Sequence, residues 1–140
     1  MCDERDLQEI KNNNIKIRIL VEQFTSKVPL LDLIWDKVDI IMFYKDKDNN
    51  MNLVNNFFCK IAKVDKEDIE GFNLNDIMSK THRVKKYFSN DLDVLTTGIP
   101  KIGIIEKFMD TDITVRTDKF PVFDREQIIG ILGMSIIIND

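Results

Sequence analysis

The residues with which this chain could do chemistry are few. They are one histidine (His82), two cysteines (Cys2 and Cys59), and carboxylates at Asp110, Asp112 and Asp124 beside predicted turns. Nucleophilic catalysis needs a base held against a serine, threonine or cysteine, and no signature of that kind surrounds the lone histidine. Zinc needs clustered nitrogen and sulfur ligands at close spacing, and no such pattern occurs. Carboxylates beside turns are ordinarily solvated. Gly130-x-x-Gly133 lies within a strand-like run and precedes no helix, so it does not read as a phosphate cradle. These residues point away from an enzyme and predict no metal.

The bulk composition agrees. At 140 residues the chain is long enough for one domain with a core that needs no disulfide or metal. Hydrophobic residues make up 44% and charged residues 31%, an ordinary globular balance. A net charge of -4 gives no broad basic surface, which argues against nucleic-acid binding; Lys85-Lys86 reads as a solvated helix face. Cys2 and Cys59 read as reduced thiols, Cys59 as a small core residue behind Phe57-Phe58. The N-terminus lacks a signal-peptide core, and the apolar run Ile128 to Ile138 is too short to span a bilayer. A cytoplasmic protein without membrane insertion is expected.

The elements that must position any site follow from periodicity. Asp3 to about Lys27 carries an apolar stripe including Ile10, Ile17, Val21 and Phe24, weakened by Asn12-Asn13-Asn14. It lies on its own domain or pairs with a second subunit; those four residues are the candidate dimer interface. Residues 1–28 are read as this helical extension and 29–140 as the domain. Ile40 to Lys45 and Met51 to Val54 read as a hairpin around Lys45-Asp46-Lys47-Asp48-Asn49-Asn50, and Asn55 or Asn56 caps a helix running to Ala62. Short helical pieces follow at Lys66 to Ile69 and Asn73 to Met78, divided by Gly71. A long helix spans Thr81 to Thr97 with Val84, Tyr87, Phe88, Leu92 and Leu95 at helical spacing, and Gly98-Ile99-Pro100 stops it. Three strands, Lys101–Phe108, Asp112–Val122 and Gln127–Ile138, close the chain. With no βα repeat, the order predicts an α+β fold with a five-stranded antiparallel sheet.

Several short motifs follow one another along the chain: Trp35-Asp36-Lys37-Val38-Asp39-Ile40, the Lys45 to Asn50 turn, Val54-Asn55-Asn56-Phe57 and Ile69-Glu70-Gly71. Thr97-Gly98, Thr117-Asp118-Lys119-Phe120-Pro121-Val122 and Ile129-Gly130-Ile131-Leu132-Gly133-Met134-Ser135 come after them. In their order and spacing, the chain from about Leu30 to Ile138 resembles the PAS family of sensory domains. The resemblance implies a sheet in the order B-A-I-H-G with helices cupped over one face. In the space between, family members hold haem, flavin or a small metabolite; others hold nothing and act as dimerisation modules. Histidine kinases, cyclases and transcription regulators are the implied effectors.

Neither common cofactor suits the residues. Flavin photochemistry of the light-oxygen-voltage type requires a cysteine where Gly71-Phe72-Asn73-Leu74 offers Leu74, and the glutamine of the last strand is replaced by Ser135. Haem needs an axial ligand about a turn beyond His82, near Lys85-Lys86. No cofactor is therefore predicted, with haem and flavin disfavoured and a small organic ligand left open. Strand parity anchored on the resemblance turns Ile41, Phe43, Ile113, Val115, Thr117, Ile131, Gly133 and Ser135 toward the helices. With Leu74, Tyr87, Phe88 and Leu92, the set Ile41, Phe43, Val115, Thr117, Gly133 and Ser135 forms the expected pocket. Gly133 either leaves room for a ligand or lets a side chain such as Tyr87, Phe88 or Leu92 pack close. A ligand, if bound, is expected to be small and mostly apolar, oriented by Thr117, Ser135 and Tyr87.

The chain departs from the family in lacking the Asp-Ile-Thr that ends the last strand; Ile137-Ile138-Asn139 stands there. Ile136-Ile137-Ile138 needs cover, which favours a homodimer. The expected function is a sensory module that binds a small ligand or relays a signal through dimerisation. The alternative is a ligand-free interaction module of a larger signalling protein.

Overall fold

The computed structural model describes Glu4, Arg5, Gln8, Glu9 and residues 34–138. Most of the segment expected to form an N-terminal helix, with Ile10, Ile17, Val21 and Phe24, lies outside the described residues.

The hairpin is organised by Asp46. Strands β1 (Ile41–Asp46) and β2 (Asn50–Val54) are joined through Asn49, which adopts the left-handed backbone at φ 68°. The Asp46 carboxylate accepts from the amides of Asp48 and Asn50 at 2.9 and 3.1 Å, and from the Asn50 side chain at 3.0 Å. Asn55 then does two jobs. Its Oδ1 accepts from Phe58 N, capping helix α1 (Asn56–Ala62), and from Met42 N, both at 3.0 Å. Its Nδ2 donates to Ile40 O at 2.8 Å, so one fully buried side chain ties the first helix to β1.

A 3-10 turn (Lys66–Asp68), strand β3 (Phe72–Asn73) and helix α2 (Leu74–Ile77) lead to helix α3 (Thr81–Thr97). Gly98 ends α3 at φ 69°, donating its N–H to Val94 O at 2.8 Å. Strands β4 (Lys101–Lys107), β5 (Thr114–Asp124) and β6 (Gln127–Ile137) complete an antiparallel sheet in the order β3-β2-β1-β6-β5-β4. The five expected strands occur in the expected spatial order. The sixth is the two-residue β3, which pairs Asn73 with Asn50 and Phe72 with Met51 where a helical piece was expected to begin.

Helices α1, α2 and α3 share one core with one face of the sheet. Phe58, Leu74, Val84 and Tyr87 pack with Ile41, Phe43, Met51, Val54 and Val115. Burying aliphatic and aromatic side chains of this size stabilises by roughly 1.5–3 kcal/mol each. A separate cluster, Tyr44 and Leu53 with Trp35, Val122 and Ile129 against them, is distinct from that core. Among the described residues no helix is long and apolar enough to cross a membrane.

Candidate functional site: a charged cavity between helix and sheet

Helix α3 presents Val84, Tyr87, Asp91 and Val94 inward, a three-four-three spacing that makes one stripe. Asp91 is only 3% exposed and receives both Lys45 from β1 and Lys119 from β5, themselves 2% and 1% exposed. Lys119 Nζ donates to Asp91 Oδ1 at 2.5 Å and to the Tyr87 carbonyl at 3.3 Å. Lys45 Nζ pairs with Asp91 Oδ2 and donates to Asn49 Oδ1 at 3.3 Å. Each ammonium also stands near an aromatic ring, Lys45 5.9 Å from the Phe43 centroid and Lys119 5.8 Å from that of Tyr87.

A cavity of about 30 Å³ adjoins this cluster. Its apolar wall is Phe43, Met51, Phe58, Leu74, Phe108 and Met109, with Phe58 edge-on to Phe43 and Phe108 at 6.1 and 4.9 Å. Its polar wall is Lys45, Lys119, Glu106, Tyr87 and Ser135, together with Lys107, whose ammonium donates to the Asp112 carbonyl and the Thr114 hydroxyl. Tyr87 is anchored by a hydrogen bond from its hydroxyl to the Lys107 carbonyl. Glu106 Oε2 is buried without a hydrogen-bond partner. The loop closing this end is held by Arg83, whose Nη1 donates to the carbonyls of Met109 and Thr111 at 2.8 and 2.6 Å. Asp110 accepts there from the amides of Ser79 and Lys80, and Met109 sits at φ 50°.

The electrostatics follow from burial. Burial pushes the Lys45 pKa down, opposed by the Asp91 carboxylate. Burial also works against the Asp91 carboxylate, yet the two ammonium groups outweigh it and hold its pKa below the ordinary value. Glu106 is displaced upward by burial, against the pull of Lys119, a hydrogen bond with Thr117, and Lys45.

Several expectations need correction. Phe88 and Leu92 do not line the cavity; they are 38% and 50% exposed, because the inward stripe passes through Tyr87 and Asp91. Gly133 leaves no room for a ligand. It pairs with Phe43 across β1–β6, and that ring lies where a Cβ would stand, so the close approach serves a strand neighbour and not a helix residue. Ile41 and Val115 belong to the surrounding core without reaching the cavity. Thr117 and Ser135 satisfy each other at 2.7 Å, leaving Ser135 alone of the two at the cavity wall. Leu74, Tyr87 and Phe43 line it. The apolar wall also carries ionic groups the sequence reading did not place there: Lys45 was read as the end of the strand and the start of the turn, and Glu106 and Lys119 were not singled out, nor was Asp91 behind them. Parity carried the missing signal. Lys45 follows Ile41 and Phe43 by steps of two, and Lys119 likewise follows Val115 and Thr117, so both fall on the inward face.

His82 is exposed and does not line the cavity. Lys85 and Lys86 are exposed as well. Cys59 is partly buried against the core, which raises its thiol pKa. Ile136 and Ile138 are exposed at the end of β6. Among the described residues no group of three or more metal-ligating side chains comes together.

No protein-family model matches the sequence, and no curated protein matches it significantly. Solved structures match the architecture. The PAS domain of a Colwellia psychrerythraea protein superposes with a TM-score of 0.65 at 16% identity, over 79% of this chain and 96% of that one. This chain has the PAS fold. The same PAS architecture occurs in a domain of a sensor histidine kinase/response regulator from Geobacter sulfurreducens, with a TM-score of 0.59 at 14% identity, over 78% and 92% of the two chains. It occurs also in Vibrio cholerae VqmA, solved as a complex with ligand and DNA, with a TM-score of 0.64 at 16% identity. There the match covers 79% of this chain and 50% of VqmA.

Proposed function

We propose that this PAS domain is a non-catalytic sensory module of intracellular signal transduction, reading a small molecule held between α3 and the sheet. The observation that carries this reading is the Lys45–Asp91–Lys119 cluster, buried against a cavity with an unpartnered Glu106 oxygen. Ionic groups removed from water are a costly way to fill a core, and apolar residues of similar volume serve stability as well or better. Their placement on β1, α3 and β5 also fits signalling. A ligand touching either ammonium acts on the joint between helix and sheet, and its differential affinity for two packings shifts the population between them. The solved neighbours belong to a sensor kinase and to a receptor crystallised with ligand and DNA, which supports an effector of either kind. With a net charge of -4, contact with DNA is assigned to such an effector and not to this domain.

Native mass spectrometry of the purified chain tests the reading. A retained small-molecule mass that is lost on Lys119→Met supports it. A bare protein whose signalling output is unchanged in that variant refutes it.

A second reading, a relay module that works by dimerisation, is favoured by a different observation. Ile105, Arg116 and Ile136 stand in one cross-strand row on β4, β5 and β6, and both isoleucines are about half exposed. Sedimentation of Ile105→Asp separates the two readings: a dimer reduced to monomer, with no ligand mass in the parent, supports the relay.

A further inference from the structure

The hydrogen-bonding inventory of the cavity narrows the class of molecule it fits, and the argument rests on the sensory reading above. Each lysine ammonium has three N–H donors. Lys45 uses two, on Asp91 and Asn49, and Lys119 uses two, on Asp91 and the Tyr87 carbonyl. One donor of each remains, and both side chains line the cavity. Glu106 lines it too and supplies an acceptor, Oε2, with nothing to accept from. Asp91 stands behind the two lysines and fixes their positions.

The charge count constrains the ligand further. Lys107 is exposed and its ammonium is engaged by the Asp112 carbonyl and the Thr114 hydroxyl, and among the buried groups Lys45 and Lys119 against Asp91 and Glu106 sum to zero. An anion entering this site leaves a net buried negative charge, and an apolar molecule leaves two donors and an acceptor desolvated without partners. A molecule that offers an acceptor to the lysines and a donor to Glu106 satisfies all three groups without adding charge.

We infer that the site takes a small neutral molecule with an amide-like edge, its acceptor on the Lys45 and Lys119 ammonium groups and its adjacent N–H or O–H on Glu106 Oε2. The cavity volume of about 30 Å³ admits only a few heavy atoms as it stands. Met51 and Met109, unbranched and adaptable, form the part of the wall able to yield to a larger body behind that edge.

The test is an amide NMR titration of the full chain with three probes of nearly equal size. Acetamide carries acceptor and donor, acetone the acceptor alone, and acetate the charge. The expected result is saturable acetamide binding at about millimolar concentration, in keeping with so few atoms. Its shifts centre on Tyr87, Asp91, Glu106 and Lys119. The other two probes bind the parent at least about ten-fold more weakly, a difference of about 1.4 kcal/mol. Glu106→Gln leaves one carboxylate for two ammonium groups, so its preference turns to acetate. A parent that prefers acetate or acetone overturns the inference. So does a parent in which no probe saturates, for then the cavity holds water alone. Should the purified chain retain a ligand mass while acetamide fails, the sensory reading stands and only this assignment falls.

Discussion

Replacing Asp91 with alanine leaves two lysine ammonium groups, 2% and 1% exposed, without the carboxylate that both of them share. Removing one partner of a buried ion pair costs about 3–5 kcal/mol, because the remaining charge stays desolvated. Here one carboxylate serves two cations, which pushes toward the upper end, while the neighbouring Glu106 partly compensates. The expected loss is about 4 kcal/mol, a large share of the roughly 5–15 kcal/mol that stabilises a typical domain. Chemical denaturation followed by far-UV circular dichroism measures it, with an unchanged m-value showing that the loss lies in the folded state. The pH dependence carries the sharper signature. Burial already depresses the folded-state pKa of Lys45, and without Asp91 it falls further. A lysine with a depressed folded pKa binds fewer protons folded than unfolded, so stability rises with pH between the two values. The deficit of Asp91→Ala therefore shrinks toward pH 10, by up to about 1.4 kcal/mol per pH unit as Lys45 titrates. A control that replaces all three groups, Lys45→Met with Asp91→Leu and Lys119→Met, recovers most of the loss because no charge is left buried. A loss below about 1 kcal/mol for Asp91→Ala, or a deficit that does not change with pH, would refute the reasoning.

Asn55→Ala removes an N-cap and strands Met42 N and Ile40 O at one stroke, so a loss of about 2–4 kcal/mol is expected by urea denaturation. Gly133→Ala drives a methyl group into the Phe43 ring, and thermal melts should show destabilisation of about 1–3 kcal/mol. The raised pKa of Glu106 means that the folded state holds its proton longer than the unfolded one. Its contribution therefore falls as pH rises from about 4.5 through the folded value, and Glu106→Gln should abolish that component of the stability–pH curve. An identical curve for parent and variant would contradict the burial argument.

The fold was legible wherever local physics decides it. The Asn55 cap, the turn through Asn49 and the stop at Gly98 each follow from a residue type doing what its own backbone and side chain favour. The site was less legible because it depends on phase and on long-range pairing. On α3, Leu92 and Asp91 differ by one position, about 100° of rotation, and apolarity argued for the wrong one. An aspartate reads as solvated until two cations from strands far off in sequence are known to meet it. Lys45 suffered similarly: its neighbours Asp46, Lys47 and Asp48 look like a charged turn, and the strand extends one residue pair into it. Gly133 was rightly singled out as a place of close approach. Its partner was missed because Phe43 reaches it through strand register and not through a helix.

The position of Trp35 has an optical consequence. This single tryptophan packs with Tyr44 and Leu53, in a cluster separate from the one that surrounds the cavity, and Tyr87 is the other tyrosine. Indole emission thus originates away from the cavity, while Tyr87 belongs to its wall. A colourless, non-quenching molecule entering beside Lys119 has no direct contact through which to alter Trp35 fluorescence. Any change in that emission has travelled through the sheet, since Tyr44, Leu53, Val122 and Ile129 around Trp35 come from four of its strands, so the native protein carries its own reporter for signals that cross it.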